Sequence, residues 1–137
     1  MASLFTRIIQ GELPAYRVFE NDRIISFLAL DQIRPGHCLV VPKLEVNHWT
    51  EVPWEDFQEL HRFSQHLGKS LLEVTKCRRI LTSFVGFEVP HCHLHLIPAW
   101  DVSDLNFAKA QRLAESEMQT LCSEIRQNLQ KQIPSMK

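Results

Sequence analysis

Residues 89–100 read VPHCHLHLIPAW, with His91, His93 and His95 at every second position of an otherwise apolar run. By chance such a triplet arises in roughly 2% of chains with this histidine content, so it asks for a reason. Alternation over this length reads as a β-strand, whose successive side chains point to opposite faces. One face is imidazole; the other carries Cys92, Leu94 and Leu96. Alternate residues of a strand lie about 6.6 Å apart, so neighbouring rings can jointly surround a phosphate or a metal ion. The stretch therefore demands a sheet and builds a site on one of its faces.

The rest of the chain supplies that sheet. SLFTRIIQG makes a short helix with a stop at Gly11. Beyond Pro14, YRVFE and RIISFLAL, joined at Asn21 and Asp22, predict a β-hairpin. HCLVVPK, bounded by Pro35 and Gly36 before and Pro42 after, predicts a third strand. From Pro53 to about Lys76 the period changes: Phe57, Leu60, Phe63, Leu67, Leu71 and Val74 recur at steps of three or four, the stripe of a long amphipathic helix. Pro53 suits its first turn, and Glu55 with Asp56 favour the positive end of its dipole. RILTSFVGFEV and HCHLHLIPAW return to strand, and Met118, Leu121, Cys122, Ile125 and Leu129 mark a C-terminal helix over about 111–133. No repeat or linker intervenes, so the reading is one α+β domain over 1–137 with a mostly antiparallel sheet.

Net charge narrows the partners. At −1 it gives no sign of nucleic acid or an acidic membrane, so affinity for an anion must be local. No apolar run approaches the roughly 18 residues of a membrane span, and MASLFTRIIQGEL lacks a signal-peptide core; the expected location is cytoplasmic. Cys38, Cys77, Cys92 and Cys122 form no C-x-x-C pair, which excludes a zinc knuckle and a thioredoxin-type motif and leaves buried free thiols.

Three chemistries fit the histidines. They could ligate zinc, with His37 or Glu88 completing the set, although rings spread along a strand share one metal only if the strand bends. They could be satisfied on a solvated face. Or the middle ring could be a nucleophile toward phosphorus, its tautomer fixed by a hydrogen bond from the other nitrogen to a backbone carbonyl, with neighbouring rings stabilising phosphoryl oxygens or protonating the leaving group.

HCHLHLI also matches the His-φ-His-φ-His-φ-φ signature (φ apolar) of the histidine-triad family of nucleotide hydrolases and transferases. The likeness extends to FTRIIQGELPAYRVFENDRIISFLAL, similar to that family's N-terminal helix and first hairpin. RPGHCLVVPK resembles its Pro-Gly-His strand, and EVPH before the triad resembles its bacterial branches. It covers about residues 3–100. The resemblance implies a homodimer of five-stranded antiparallel sheets and hydrolysis at an α-phosphorus through a nucleotidyl-histidine on His93. The bond would be a nucleoside phosphoramidate or dinucleoside polyphosphate. His95 would contact the scissile phosphate, His91 would orient the group, and His37 would stand alongside as a fourth histidine. Leu4, Phe5 and Phe27 would line the pocket for a purine nucleotide, and no cofactor or metal is implied. A nucleotide-binding regulatory protein with little turnover is the alternative, and a zinc protein using the same histidines a third.

Several positions depart from the family pattern. Ala29 stands where many relatives hold the ribose with Asp or Asn; Asp31, on the same side of a strand, is the substitute expected here. Gly86 and Phe87 replace a Gly-Gln segment, with Glu88 next. Ser3 and Thr6 occupy the places of a zinc-binding Cys-x-x-Cys, so that zinc should be missing. His48, His61 and His66 match no catalytic position and read as solvated, Trp100 reads as dimer core or lid, and the tail from Asp101 onward matches nothing in the family.

Overall fold

The alternating stretches pair into one five-stranded antiparallel sheet in the computed structural model, which describes residues 2–133. Met1 and residues 134–137, the ends of the expected 1–137 domain, lie outside the described residues. The strands are β1 (Arg17–Glu20), β2 (Ile24–Leu28), β3 (Cys38–Pro42), β4 (Arg79–Phe84) and β5 (Leu94–Ala99), in the order β1-β2-β3-β5-β4. The helices are α1 (Leu4–Ile9), α2 (Trp54–Thr75) and α3 (Glu115–Gln132).

Each face of the sheet has its own core, and the period of two sorts the residues between them. Val18, Ile24, Leu28, Cys38, Val40, Leu94 and Leu96 pack against Leu60, Phe63, Leu67 and Leu71 of α2 and against Met118, Ile125 and Leu129 of α3. The intervening Ile25, Phe27, Leu39 and Val41 form the other face with Phe5 and Ile8 of α1. His95 pairs in register with Leu39, so it emerges on the α1 side. Burying apolar area at about 25 cal/mol per Å² holds both layers.

The long helix begins one residue after the expected Pro53, which caps it in extended conformation, and ends at Lys76 with φ 60°. The C-terminal helix starts later than 111. Gln111 is tied in an isolated antiparallel bridge to Gln32, holding the chain extended until Ala114, so α3 begins at Glu115. The triad stretch also departs from a continuous strand. The Cys92 amide donates 2.7 Å to Val46 O, and the His91 amide donates 2.8 Å to Val89 O. Those bonds draw the backbone out of the ladder, and β5 starts at Leu94. Of the triad only His95 lies in the strand; His91 and His93 precede it. Among the described residues no helix is long and apolar enough to cross a membrane, and the cysteines are free, with Cys38, Cys77 and Cys92 buried.

Candidate active site

The irregular turn before β5 gives His93 its chemistry. His93 Nδ1 lies 2.7 Å from the carbonyl of His91. A carbonyl only accepts, so Nδ1 carries the proton and Nε2 keeps its lone pair. His91 is held in turn: its Nε2 donates 2.7 Å to Pro42 O, and its Nδ1 accepts 2.7 Å from Ser3 Oγ. Ser3 also caps α1, its Oγ accepting 3.0 Å from the Thr6 amide. Glu45 Oε1 accepts from the Ser3 amide at 2.8 Å and Thr6 Oγ1 at 2.6 Å, fastening the helix start to the loop after β3. Ser3 and Thr6 thus anchor His91 by hydrogen bonds.

The second pair of histidines is fixed from the opposite side. The Ile33 amide donates 3.2 Å to His37 Nδ1, which puts the His37 proton on Nε2. That nitrogen lies 2.9 Å from His95 Nδ1, which must accept. His95 therefore carries its own proton on Nε2. The site presents one bare nitrogen, on His93, beside one N–H donor, on His95, with the two ring centroids 5.0 Å apart.

Gln32 shapes the loop that makes this possible. Its buried amide donates to Ala29 O at 2.6 Å and His37 O at 2.8 Å, and accepts from the Gly36 amide at 2.9 Å and the His37 amide at 3.0 Å. Gly36 adopts φ +104°, and a Cβ there would stand 2.9 Å from Thr75 Cγ2, so the tight return toward His37 requires glycine.

Burial keeps every ring neutral near pH 7. It pushes His37 down to about 4 and His95 to about 3, with neighbouring imidazoles adding to both shifts. His91 and His93 are lowered from 6.5 by the same cause. A neutral His95 with Nδ1 already occupied can donate a hydrogen bond from Nε2 but is not an ionised acid, which narrows the role expected of the flanking rings. His91 and His37 have both ring nitrogens engaged, so neither offers a lone pair to a metal ion, and no group of His, Cys, Asp or Glu with metal-site geometry occurs among the described residues.

An apolar cavity of about 610 Å³ is lined in part by Leu4, Phe5, Phe27, Leu39 and Tyr16, with Glu115 as its one carboxylate and none of the four histidines in its wall. Phe5 joins cavity to triad, its ring edge-on at 4.8 Å to His93 and 5.8 Å to His91. Leu4, Phe5 and Phe27 all line this one cavity. Asp31 is not among the residues lining this cavity: it is exposed and accepts 2.9 Å from Arg112 Nε. Ala29 is buried among Phe5, Phe27 and Leu39. Glu88 and Phe87 are exposed. His61 is exposed, with its ring edge-on to Phe57 at 4.6 Å.

Beyond β5 the chain returns to the site. Asp101–Gln111 forms a strap anchored on Asp104, whose buried carboxylate accepts from Arg34 Nε at 2.8 Å, the Trp100 amide at 2.8 Å and Lys109 Nζ at 3.3 Å. Arg34, foremost, holds that carboxyl far below its ordinary range. Arg34 also lies 4.8 Å from the centre of the Trp100 ring, so within this chain Trp100 is a platform for the anchor. The strap carries Phe107 edge-on to His95 at 4.8 Å. Ser3, Gln32 and Phe107 had no signal as site residues in the sequence; only Ser3 carried a local one, as a cap before an apolar helix.

The family model described as HIT domain matches residues 10–102. An uncharacterized HIT-like protein of Methanocaldococcus jannaschii is 32% identical over 105 residues, covering 72% of this chain and 79% of that protein. The adenosine 5′-monophosphoramidase of Saccharomyces cerevisiae is 25% identical over 123 residues, covering 82% of this chain and 78% of that protein. The crystal structure of a hypothetical histidine triad nucleotide-binding protein from Sulfolobus tokodaii superposes with TM-score 0.82 at 22% identity, over 97% of both chains.

Proposed function

The chain belongs to the histidine-triad (HIT) family, and from that premise we propose that it hydrolyses a nucleotide at the α-phosphorus, a nucleoside phosphoramidate or dinucleoside polyphosphate, through a nucleotidyl-His93 intermediate. The observation that carries this is the His93 Nδ1 contact of 2.7 Å with the His91 carbonyl, which leaves Nε2 free to attack. In the first half-reaction the Nε2 pair forms a bond to phosphorus, and the bond to the departing group breaks with its electrons. In the second, water attacks phosphorus and the nitrogen recovers its pair. Overall one water is consumed: its hydroxyl ends on phosphorus and a proton on the departing group. His95 Nε2–H donates to a phosphoryl oxygen throughout, where negative charge concentrates.

The cavity beside Phe5 and Phe27 is wide and apolar enough for a purine ring. A binding protein without turnover would have no use for a nucleophile with a fixed tautomer, and the yeast relative is named for turnover. Free cysteines suit a reducing cytoplasm.

The same reading includes a homodimer. The β1 edge is covered by α3, with Arg126 Nη1 and Cys122 Sγ donating to Arg17 O. The β4 edge ends the sheet beside a half-exposed row of Trp49, Trp54, Phe57 and Phe84, the surface that joins the two copies. Sedimentation of Trp54→Lys with Phe84→Asp against wild type tests it: monomers are expected from the variant only.

The function itself is tested by assaying adenosine 5′-phosphoramidate with wild type and His93→Ala. Release of AMP by wild type alone is expected. Equal rates from both would end the proposal.

A further inference from the structure

Phe5, His93, His95 and Phe107 form a continuous row of edge-on rings, with centroid separations of 4.8, 5.0 and 4.8 Å in that order. The cavity lies at the Phe5 end. At the other end stands a phenylalanine that belongs to no apolar core: Phe107 is 41% exposed yet rigidly placed. Its 3-10 turn, Phe107–Lys109, is capped by Asn106, whose Oδ1 accepts 3.0 Å from the Ala108 amide. On either side the strap is pinned, by Asp104 to Arg34 and by Gln111 to Gln32 through two backbone bonds of 2.9 Å. A solvent-facing aromatic on a fixed backbone, beside a polar donor, offers a ready surface to a ligand at low entropic cost.

Resting on the nucleotide reading above, we propose that Phe107 determines leaving-group specificity: the site prefers α-phosphorus substrates whose departing group bears an aromatic ring close to the scissile bond. The nucleoside occupies the Phe5 end. A group leaving His93-bound phosphorus away from that cavity passes His95 and meets the face of Phe107. Charge argues against a long anionic leaving group there. Arg34, Lys109 and Arg112 of this side are matched by Asp104, Asp101 and Asp31, so the strap presents no excess of cations to a polyphosphate.

The test uses adenosine 5′-(N-benzyl)phosphoramidate and its N-methyl analogue, which share nucleoside, charge and an alkylamine leaving group and differ by a ring. kcat/KM is measured for wild type, Phe107→Ala and Phe107→Leu. The N-benzyl substrate should lose about tenfold in Phe107→Ala, within the range for losing one apolar subsite contact, with the N-methyl substrate changed less than about twofold. Phe107→Leu, which keeps apolar bulk against His95, should fall between. Equal losses on both substrates would make Phe107 a prop for His95, and no loss on either would remove it from the site; each overturns the proposal. Binding of both compounds to His93→Ala, with and without Phe107→Ala, separates this from the nucleotide reading. A ring-dependent affinity lost with Phe107, alongside no turnover by wild type, would refute hydrolysis and uphold the subsite. Failure of His93→Ala to bind either compound would overturn both.

Discussion

His37 Nε2 and His95 Nδ1 are 2.9 Å apart, and because the Ile33 amide already occupies His37 Nδ1, the proton between them belongs to His37. One backbone N–H therefore decides, two rings away, that His95 carries its proton on Nε2. Gln32 holds the backbone that aims that N–H.

The tautomer chain predicts that nitrogen-resolved NMR of the imidazoles finds His95 protonated on Nε2 and His93 on Nδ1. Gln32→Leu removes four side-chain hydrogen bonds. It should turn the His95 signal into a tautomer mixture, lower kcat by about one to two decades through misplacement of the donor, and leave KM nearly unchanged. An intact His95 tautomer together with wild-type kcat would show that the loop needs no such brace.

Acid should act on rate and stability in the same direction. His93 attacks only when neutral, and burial lowers its pKa below 6.5, so kcat/KM is flat around pH 7 and falls as pH drops through that lowered value. For folding, His37 and His95 titrate near 4 and 3 in the native protein but near 6.5 when unfolded. The unfolded chain takes up their protons first, so their contribution is complete above 6.5 and is lost progressively as pH falls, down to about 4 for His37 and about 3 for His95. Urea midpoints at pH 7.5, 6 and 5 check this. That range lies above the ordinary carboxylate values, so the decline there reports histidines; a midpoint constant from 7.5 to 5 would contradict buried neutral rings.

Ala29 is enclosed by Phe5, Phe27 and Leu39 and has no cationic neighbour in that cluster. Ala29→Asp should cost about 1–3 kcal/mol of stability, the penalty of a buried polar group left unpaired. Wild type should discriminate only weakly between adenosine and 2′-deoxyadenosine phosphoramidates, since Asp31 is engaged by Arg112 outside the cavity. If Ala29→Asp folds with undiminished stability and gains about tenfold preference for ribose, roughly 1.4 kcal/mol, the side chain reaches the nucleotide after all. Strong ribose selectivity in wild type would direct attention to Glu115, the carboxylate on the cavity wall.

Local periodicity explains what the sequence could disclose. Leu94 and Leu96 against His95 is a two-residue alternation, and the stripe from Phe57 to Val74 is helical; both are written in neighbouring residues, and both proved right. What escaped is written between distant ones. His91 and His93 leave the strand because Val46, far back in the chain, captures the Cys92 amide. Gln32 looked like any loop glutamine until its amide was seen to bind both ends of the turn to His37. Phe107 lay in a tail whose sequence carried no motif, and its place against His95 depends on the buried ion pairs of Asp104. The triad was legible as a candidate site; the scaffolding that sets its protons was not.

The covalent step is the centre of the account, and rapid mixing with adenosine 5′-phosphoramidate followed by an alkaline quench and peptide mass analysis reaches it directly. An adenylyl group on the peptide carrying His93, appearing and decaying within turnover and lost in His93→Ala, is the predicted result. An adduct on another residue, or AMP formed at the wild-type rate by His93→Ala, would contradict it.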